Sequence, residues 1–187
     1  MVNPDVLSQP QYEPVFEKNI EMPMRDGTIL RANVTRPNAA GSFPILLERS
    51  PYNKDGGSEI AVGAPEFFAR RGYAVVIQDV RGRFASDGEF YPFKDDGAGV
   101  LRDGYDTIEW LATQPWCNGD IGTIGGSYSG ATQYQAALSR PPHLRAMFVR
   151  ESSADYQREW VYRDGAFELG FSLYWAHVVT ETNLPHL

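Results

Sequence analysis

The sequence predicts an α/β domain: a mostly parallel, doubly wound sheet preceded by an antiparallel N-terminal hairpin. Three observations predict it. Apolar runs of strand length alternate with helical stretches between residues 44 and 150, the order that gives a parallel sheet with helices on its faces. Residues 73–80, Tyr-Ala-Val-Val-Ile-Gln-Asp-Val, are apolar without alternation, which argues for burial on both faces. Near the N-terminus Asp26-Gly27 joins two alternating strand-like runs, a strong hairpin signal.

In chain order, residues 1–14 read as a flexible lead. Residues 15–22 and 28–35 are the hairpin strands, and residues 44–49 a mostly buried strand that ends in the loop Ser50-Pro51-Tyr52-Asn53-Lys54. Residues 64–71 form a short helix with Pro65 in its first turn, stopped by Gly72. After the apolar strand at 73–80 comes a turn-rich loop, residues 81–88. A helix follows over about 100–114, ended by Pro115. Asn118-Gly119 turns the chain into a strand that runs to Gly126. Residues 128–139 are helical and residues 144–150 make a further strand. Beyond Ala154 the stretch holding Tyr156, Trp160, Tyr162, Phe167, Phe171, Tyr174 and Trp175 reads as helical and too short for a core of its own. The expected division is a lead at 1–14, a sheet domain at 15–154 and the start of a second unit at 155–187.

Composition narrows the function classes. The 187 residues hold 17 basic and 24 acidic side chains, a formal charge of -7, which disfavours nucleic acid or an anionic membrane as partner. No apolar run approaches the roughly 18 residues of a membrane span. The polar N-terminus lacks the regions of a signal peptide, so a cytoplasmic location is expected. Cys117 is the single cysteine; it forms no internal disulfide and makes no metal site alone.

The chemistry-bearing stretch is Gly125-Gly126-Ser127-Tyr128-Ser129-Gly130, where a strand becomes a helix. A serine on such a turn is held in strained backbone, which is why glycines flank it, and the next N–H faces a developing oxyanion. A phosphate-binding loop would need Lys where Ala131 stands, and no Gly-x-Gly-x-x-Gly pattern occurs here. The same residues also suit a glycine-rich turn with an ordinary serine. In parallel sheets function sits at the carboxyl ends of strands, where Tyr52, Asp79 and Ser127 all fall on this topology.

Several ordered motifs occur together: Met22-Pro23-Met24-Arg25-Asp26-Gly27, Arg49-Ser50-Pro51-Tyr52, residues 78–88, and Gln114-Pro115-Trp116-Cys117-Asn118-Gly119 before the serine turn. Over roughly residues 15–180 the chain resembles the cocaine esterase and X-prolyl dipeptidyl-peptidase family of serine hydrolases. The resemblance implies an α/β-hydrolase fold with the start of a helical cap at 155–187. It makes Ser127 the nucleophile, with the Tyr52 hydroxyl and the Tyr128 backbone N–H as oxyanion donors. It implies no metal and no organic cofactor. The implied substrate is a small ester or X-Pro-like peptide, cleaved through an acyl-enzyme.

Serine needs a base, and the base a carboxylate. In the family both lie beyond the cap, so the sequence is expected to lack them and to depend on a missing C-terminal portion or on self-association. His143 is expected at the end of the sheet opposite Ser127, His177 in the cap and His186 beside the terminus. Asp79, Asp87, Asp95 and Asp96 are expected to fix loops. The alternative is a non-catalytic module that binds an acyl ligand or a partner.

Overall fold

The computed structural model describes residues 8–181, apart from 59, 62 and 98. Strands β1 (Pro14–Pro23), β2 (Ile29–Pro37), β3 (Phe43–Ser50), β4 (Ala74–Asp79), β5 (Cys117–Gly126) and β6 (Leu144–Arg150) form one sheet in the order β1-β2-β4-β3-β5-β6. β1 and β2 pair antiparallel, as do β2 and β4, while β4, β3, β5 and β6 run parallel. The expected architecture, parallel with an antiparallel N-terminal hairpin, is the one observed.

Residue chemistry explains the strand positions. All six residues of β4 are buried, since a central parallel strand is covered on both faces. Alternate side chains divide between two clusters. On one face Ala32, Val34, Ile45, Leu47, Ala74, Val76 and Ile121 pack with Ile108 and Leu111 of helix α2 (Asp103–Ala112) and Ala136 of helix α3 (Ser127–Leu138). On the other, Val75 and Ile77 pack with Leu46, Ile60 and Phe68, the last on helix α1 (Ala64–Ala69). Helices on both faces make the sheet doubly wound.

The hairpin turn has Gly27 at φ 84°, and the Asp26 carboxylate accepts from the Thr28 N–H at 3.1 Å. Arg81 ties this turn to α2 by ion pairs to Asp26 at 2.8 Å and Asp103 at 2.7 Å. Its guanidinium holds the Asp26 carboxyl down at about 2. Of the N-terminal lead, residues 8–14 are described, Pro14 opening β1: the N–H groups of Gln11 and Tyr12 donate to the Arg70 carbonyl, and Tyr12 packs edge-on against Phe43. The β6 strand lies at the sheet edge, with Met147 and Phe148 exposed.

The expectation of a helical stretch beyond residue 154 needs correction. Among the described residues beyond 154 only α4 (Leu169–Glu181) is helical. Before it, β7 (Tyr162–Arg163) and β8 (Ala166–Phe167) form a two-stranded hairpin around Asp164-Gly165, with φ 49° and 86°. Asp-Gly suits a turn with positive φ at both central positions, and this local signal prevails over the aromatic-rich composition.

Candidate active site

Parallel pairing of β3 with both β4 and β5 brings the ends of three strands together. Ser50 is in register with Asp79, Tyr52 lies two residues past β3, and Ser127 directly follows β5. Ser127 occupies φ 52° as the first residue of α3. A non-glycine residue in that region is uncommon and strained, and its neighbours explain how it is held. Gly125 sits at φ 143°, where an added Cβ would stand 2.5 Å from the Ser129 Cβ; at Gly130 it would stand 2.5 Å from the Ser152 Cβ. The two glycines let the helix approach the strand that precedes it and the loop after β6.

The residues following the serine are locked from below. The Ser129 hydroxyl donates to the Glu48 carboxylate at 3.0 Å, and the Ser58 hydroxyl donates to the same carboxylate at 2.7 Å. Tyr128 is 1% exposed; its phenol oxygen accepts from the Phe93 N–H at 3.0 Å and donates to Asp96 at 3.4 Å. Burial, and then the nearby Asp96 charge, push the Tyr128 phenol well above its ordinary value, so it stays neutral. Burial also raises the Asp96 carboxyl, against the opposing pull of Arg49, whose guanidinium is 2.8 Å away. Arg49 donates in turn to Gln78 at 2.7 Å. The Tyr128 side chain is therefore an anchor, which leaves its backbone N–H in the first turn of α3, where amide donors have no partner within the helix. Among the described residues the Ser127 hydroxyl makes no hydrogen bond.

Tyr52 is fixed at two points. Its N–H donates to the Ser50 hydroxyl at 3.1 Å, and its phenol oxygen accepts from the Trp175 indole N–H at 3.0 Å. Its ring stands edge-on to Tyr128 with centroids 6.5 Å apart. Arg83, 0% exposed, donates to the Pro51 carbonyl at 2.9 Å and the Val179 carbonyl at 3.0 Å, joining the Tyr52 loop to α4. Burial lowers the Arg83 guanidinium from its ordinary value.

Phe93 stacks on Tyr128 at 4.2 Å and on Tyr156 at 5.0 Å. With Trp160, Phe167, Phe171 and Trp175 it lines an apolar cavity of about 260 Å³. Through Phe93 and Trp175 this cavity adjoins the residues around Ser127. Two other cavities, of about 560 Å³ beside Phe148 and about 170 Å³ beside Lys54, lie elsewhere, and none of the three has Tyr52, Ser127 or Tyr128 in its walls.

The histidines do not converge on Ser127. His143 bonds Glu109 at 2.8 Å, and its carbonyl accepts from the Ile121 N–H, six residues or about 20 Å of strand before Ser127. His177 pairs with Glu181 at 3.2 Å on the exposed side of α4, and His186 lies outside the described residues. The acidic candidates hold loops: Asp79 pairs with Lys54 at 3.0 Å and accepts from the Ala85 N–H, Asp87 pairs with Arg31, the Asp95 carbonyl accepts from the Asp103 N–H, and Asp96 pairs with Arg49. Among the described residues no group of three or more His, Cys, Asp or Glu side chains converges as metal ligands.

Glu48, Arg83 and Trp175 are contributors whose part in the site sequence reasoning missed. The signal available was a charged or polar residue inside an apolar strand, Glu48-Arg49 at the end of β3; the partners are distant in sequence.

Comparison with known proteins accords with this geometry. The chain is 43% identical over 164 residues to cocaine esterase from Rhodococcus sp. (strain MB1 Bresler), covering 86% of this chain and 28% of that protein. A crystal structure of a CocE/NonD family hydrolase from Staphylococcus aureus superposes with a TM-score of 0.81 at 32% identity, over 91% of this chain and 33% of that one. An α-amino acid ester hydrolase gives 0.72 at 28% identity, over 92% and 32%. The fold is that of the α/β-hydrolases, and the chain spans little more than a quarter of the length of the curated relatives it matches. The family model described as X-Pro dipeptidyl-peptidase (S15 family) matches residues 26–186, and the chain belongs to that family of serine hydrolases.

Proposed function

We propose that these residues form the nucleophile-bearing part of a serine hydrolase that cleaves a small ester or X-Pro-like amide. Ser127 Oγ attacks the carbonyl carbon and its proton passes to a base. The carbonyl oxygen takes the negative charge and is held by the Tyr128 N–H and the Tyr52 hydroxyl. Collapse expels the alcohol or amine, which takes up a proton, and water then releases the acid from the acyl-serine. The imidazole and carboxylate of this mechanism are assigned to groups outside the described residues. The aromatic cavity at Trp160, Phe171 and Trp175 suits an apolar acyl group.

The observation that carries this reading is Ser127 at φ 52° between β5 and α3, with its neighbours on both sides committed to buried contacts. Hydrolysis of p-nitrophenyl acetate by a chain that also carries this base and carboxylate, compared with its Ser127→Ala variant, tests it. Turnover that vanishes in the variant supports the reading, and equal rates favour a binding module of hydrolase descent. Tyr52→Phe removes one oxyanion donor and is expected to lower Ser127-dependent turnover by about a hundred- to a thousandfold; unchanged turnover removes Tyr52 from the mechanism.

A further inference from the structure

We infer that Trp175 is a positioning residue for the oxyanion site: its indole N–H holds the Tyr52 phenol oxygen so that the Tyr52 hydroxyl proton is left to point at the substrate. The inference rests on the acyl-transfer reading above. An indole nitrogen donates and does not accept, so in the 3.0 Å contact between Trp175 Nε1 and Tyr52 Oη the phenol oxygen is the acceptor. Among the described residues the Tyr52 hydroxyl proton meets no acceptor. A phenol that already accepts one hydrogen bond is polarised into a better donor, and a fixed oxygen loses less freedom when the oxyanion forms.

The bond spans 123 residues of sequence and joins the sheet domain to α4. Arg83 repeats the connection from Pro51 to Val179. Together the two links couple the seating of α4 to the orientation of Tyr52. Trp175 also lines the aromatic cavity, so the test must separate its ring from its N–H. Trp175→Phe does this, because an aromatic ring remains and the donor is lost.

Two measurements decide the matter: spectra of the 187-residue chain, and turnover of a chain that also carries the base and carboxylate of the proposed mechanism. In ¹H–¹⁵N spectra one of the four tryptophan indole resonances, identified by its loss in Trp175→Phe, should move upfield in Tyr52→Phe; a resonance that stays in place overturns the inference whatever the activity. In turnover, Trp175→Phe should lower kcat by about three- to tenfold, the size of one neutral hydrogen bond, at unchanged KM. In a Tyr52→Phe background it should have no further effect. Ser127-dependent turnover with wild-type kcat in Trp175→Phe sinks the positioning role alone. A raised KM at unchanged kcat makes Trp175 a cavity wall and likewise overturns it. Equal turnover in wild type and Ser127→Ala instead defeats the acyl-transfer reading itself, and the positioning role falls with it.

Discussion

Helices α3 and α4 are of similar length and are held in opposite ways. Of the 12 residues of α3, seven are buried, from Tyr128 to Gln133 and Ala136. Polar bonds fasten it on three sides: Ser129 to Glu48, Thr132 to the Arg49 carbonyl, and Gln133 to the carbonyls of Gly125 and Phe148. The 13 residues of α4 bury Val179, whereas Leu169, Phe171, Leu173 and Tyr174 are exposed. Its connections to the sheet domain include the Trp175–Tyr52 bond, the Arg83 bond to Val179 and the stacking of Trp175 on Phe93. The helix that carries the strained serine is over-determined, as backbone strain requires. The helix that walls the apolar cavity is lightly attached, so changes there are expected to alter rate and selectivity more than stability.

Breaking the framework under α3 gives the largest expected effect. Arg49→Met leaves the buried Asp96 without its cation, and urea unfolding at pH 7 should show a loss of about 3–5 kcal/mol. Burial raises the folded-state Asp96 carboxyl above its unfolded value. Its protonated form therefore favours the folded chain at low pH, and that contribution is lost as pH rises through the folded value. The deficit of Arg49→Met should consequently shrink on acidification, and a deficit independent of pH would show that Asp96 is not what Arg49 supports.

Next in size, Gly130→Ala places a Cβ 2.5 Å from the Ser152 Cβ and 3.1 Å from Val149 Cγ1. Overpacking of this kind costs about 1–3 kcal/mol, read as a lower denaturation midpoint. A neutral outcome would mean that α3 and the loop after β6 yield to each other, against the contrast drawn here.

The hairpin turn sharpens the same contrast through acid. Arg81 depresses the Asp26 carboxyl to about 2, so its contribution is present above the ordinary 3.8 and is lost as pH falls through about 2. Asp26→Asn should flatten the stability profile between those values, and an unchanged acid limb would remove Asp26 from the acid response. The smallest effect is expected on α4: Leu173, 62% exposed, should tolerate replacement by Ala within about 0.5 kcal/mol. A larger loss would show that this face is covered in solution.

Much of this was legible in the sequence wherever the deciding chemistry is local. The unbroken apolar run of β4, the Asp26-Gly27 turn and the glycines around Ser127 each act within a few residues, and they place the sheet and the serine. What was not legible depends on long-range pairing. Glu48 meets Ser129 across 81 residues, Arg49 meets Asp96 across 47, and Trp175 meets Tyr52 across 123; no spacing rule connects such positions. The stretch beyond Ala154 shows a different failure. Its aromatic residues suit a helix face and a stacked cluster equally, and the turn at Asp164-Gly165, readable by the rule that found the first hairpin, was outweighed by composition.

The central claim is that Ser127 becomes acylated. Acid-quenching the protein during p-nitrophenyl acetate hydrolysis and mapping the peptides by mass spectrometry tests this most directly. The account predicts an acetyl group on the peptide carrying Ser127, absent from the Ser127→Ala variant. Acetylation at another residue that persists in the variant, or Ser127-dependent turnover with no acyl group on that peptide, would contradict it.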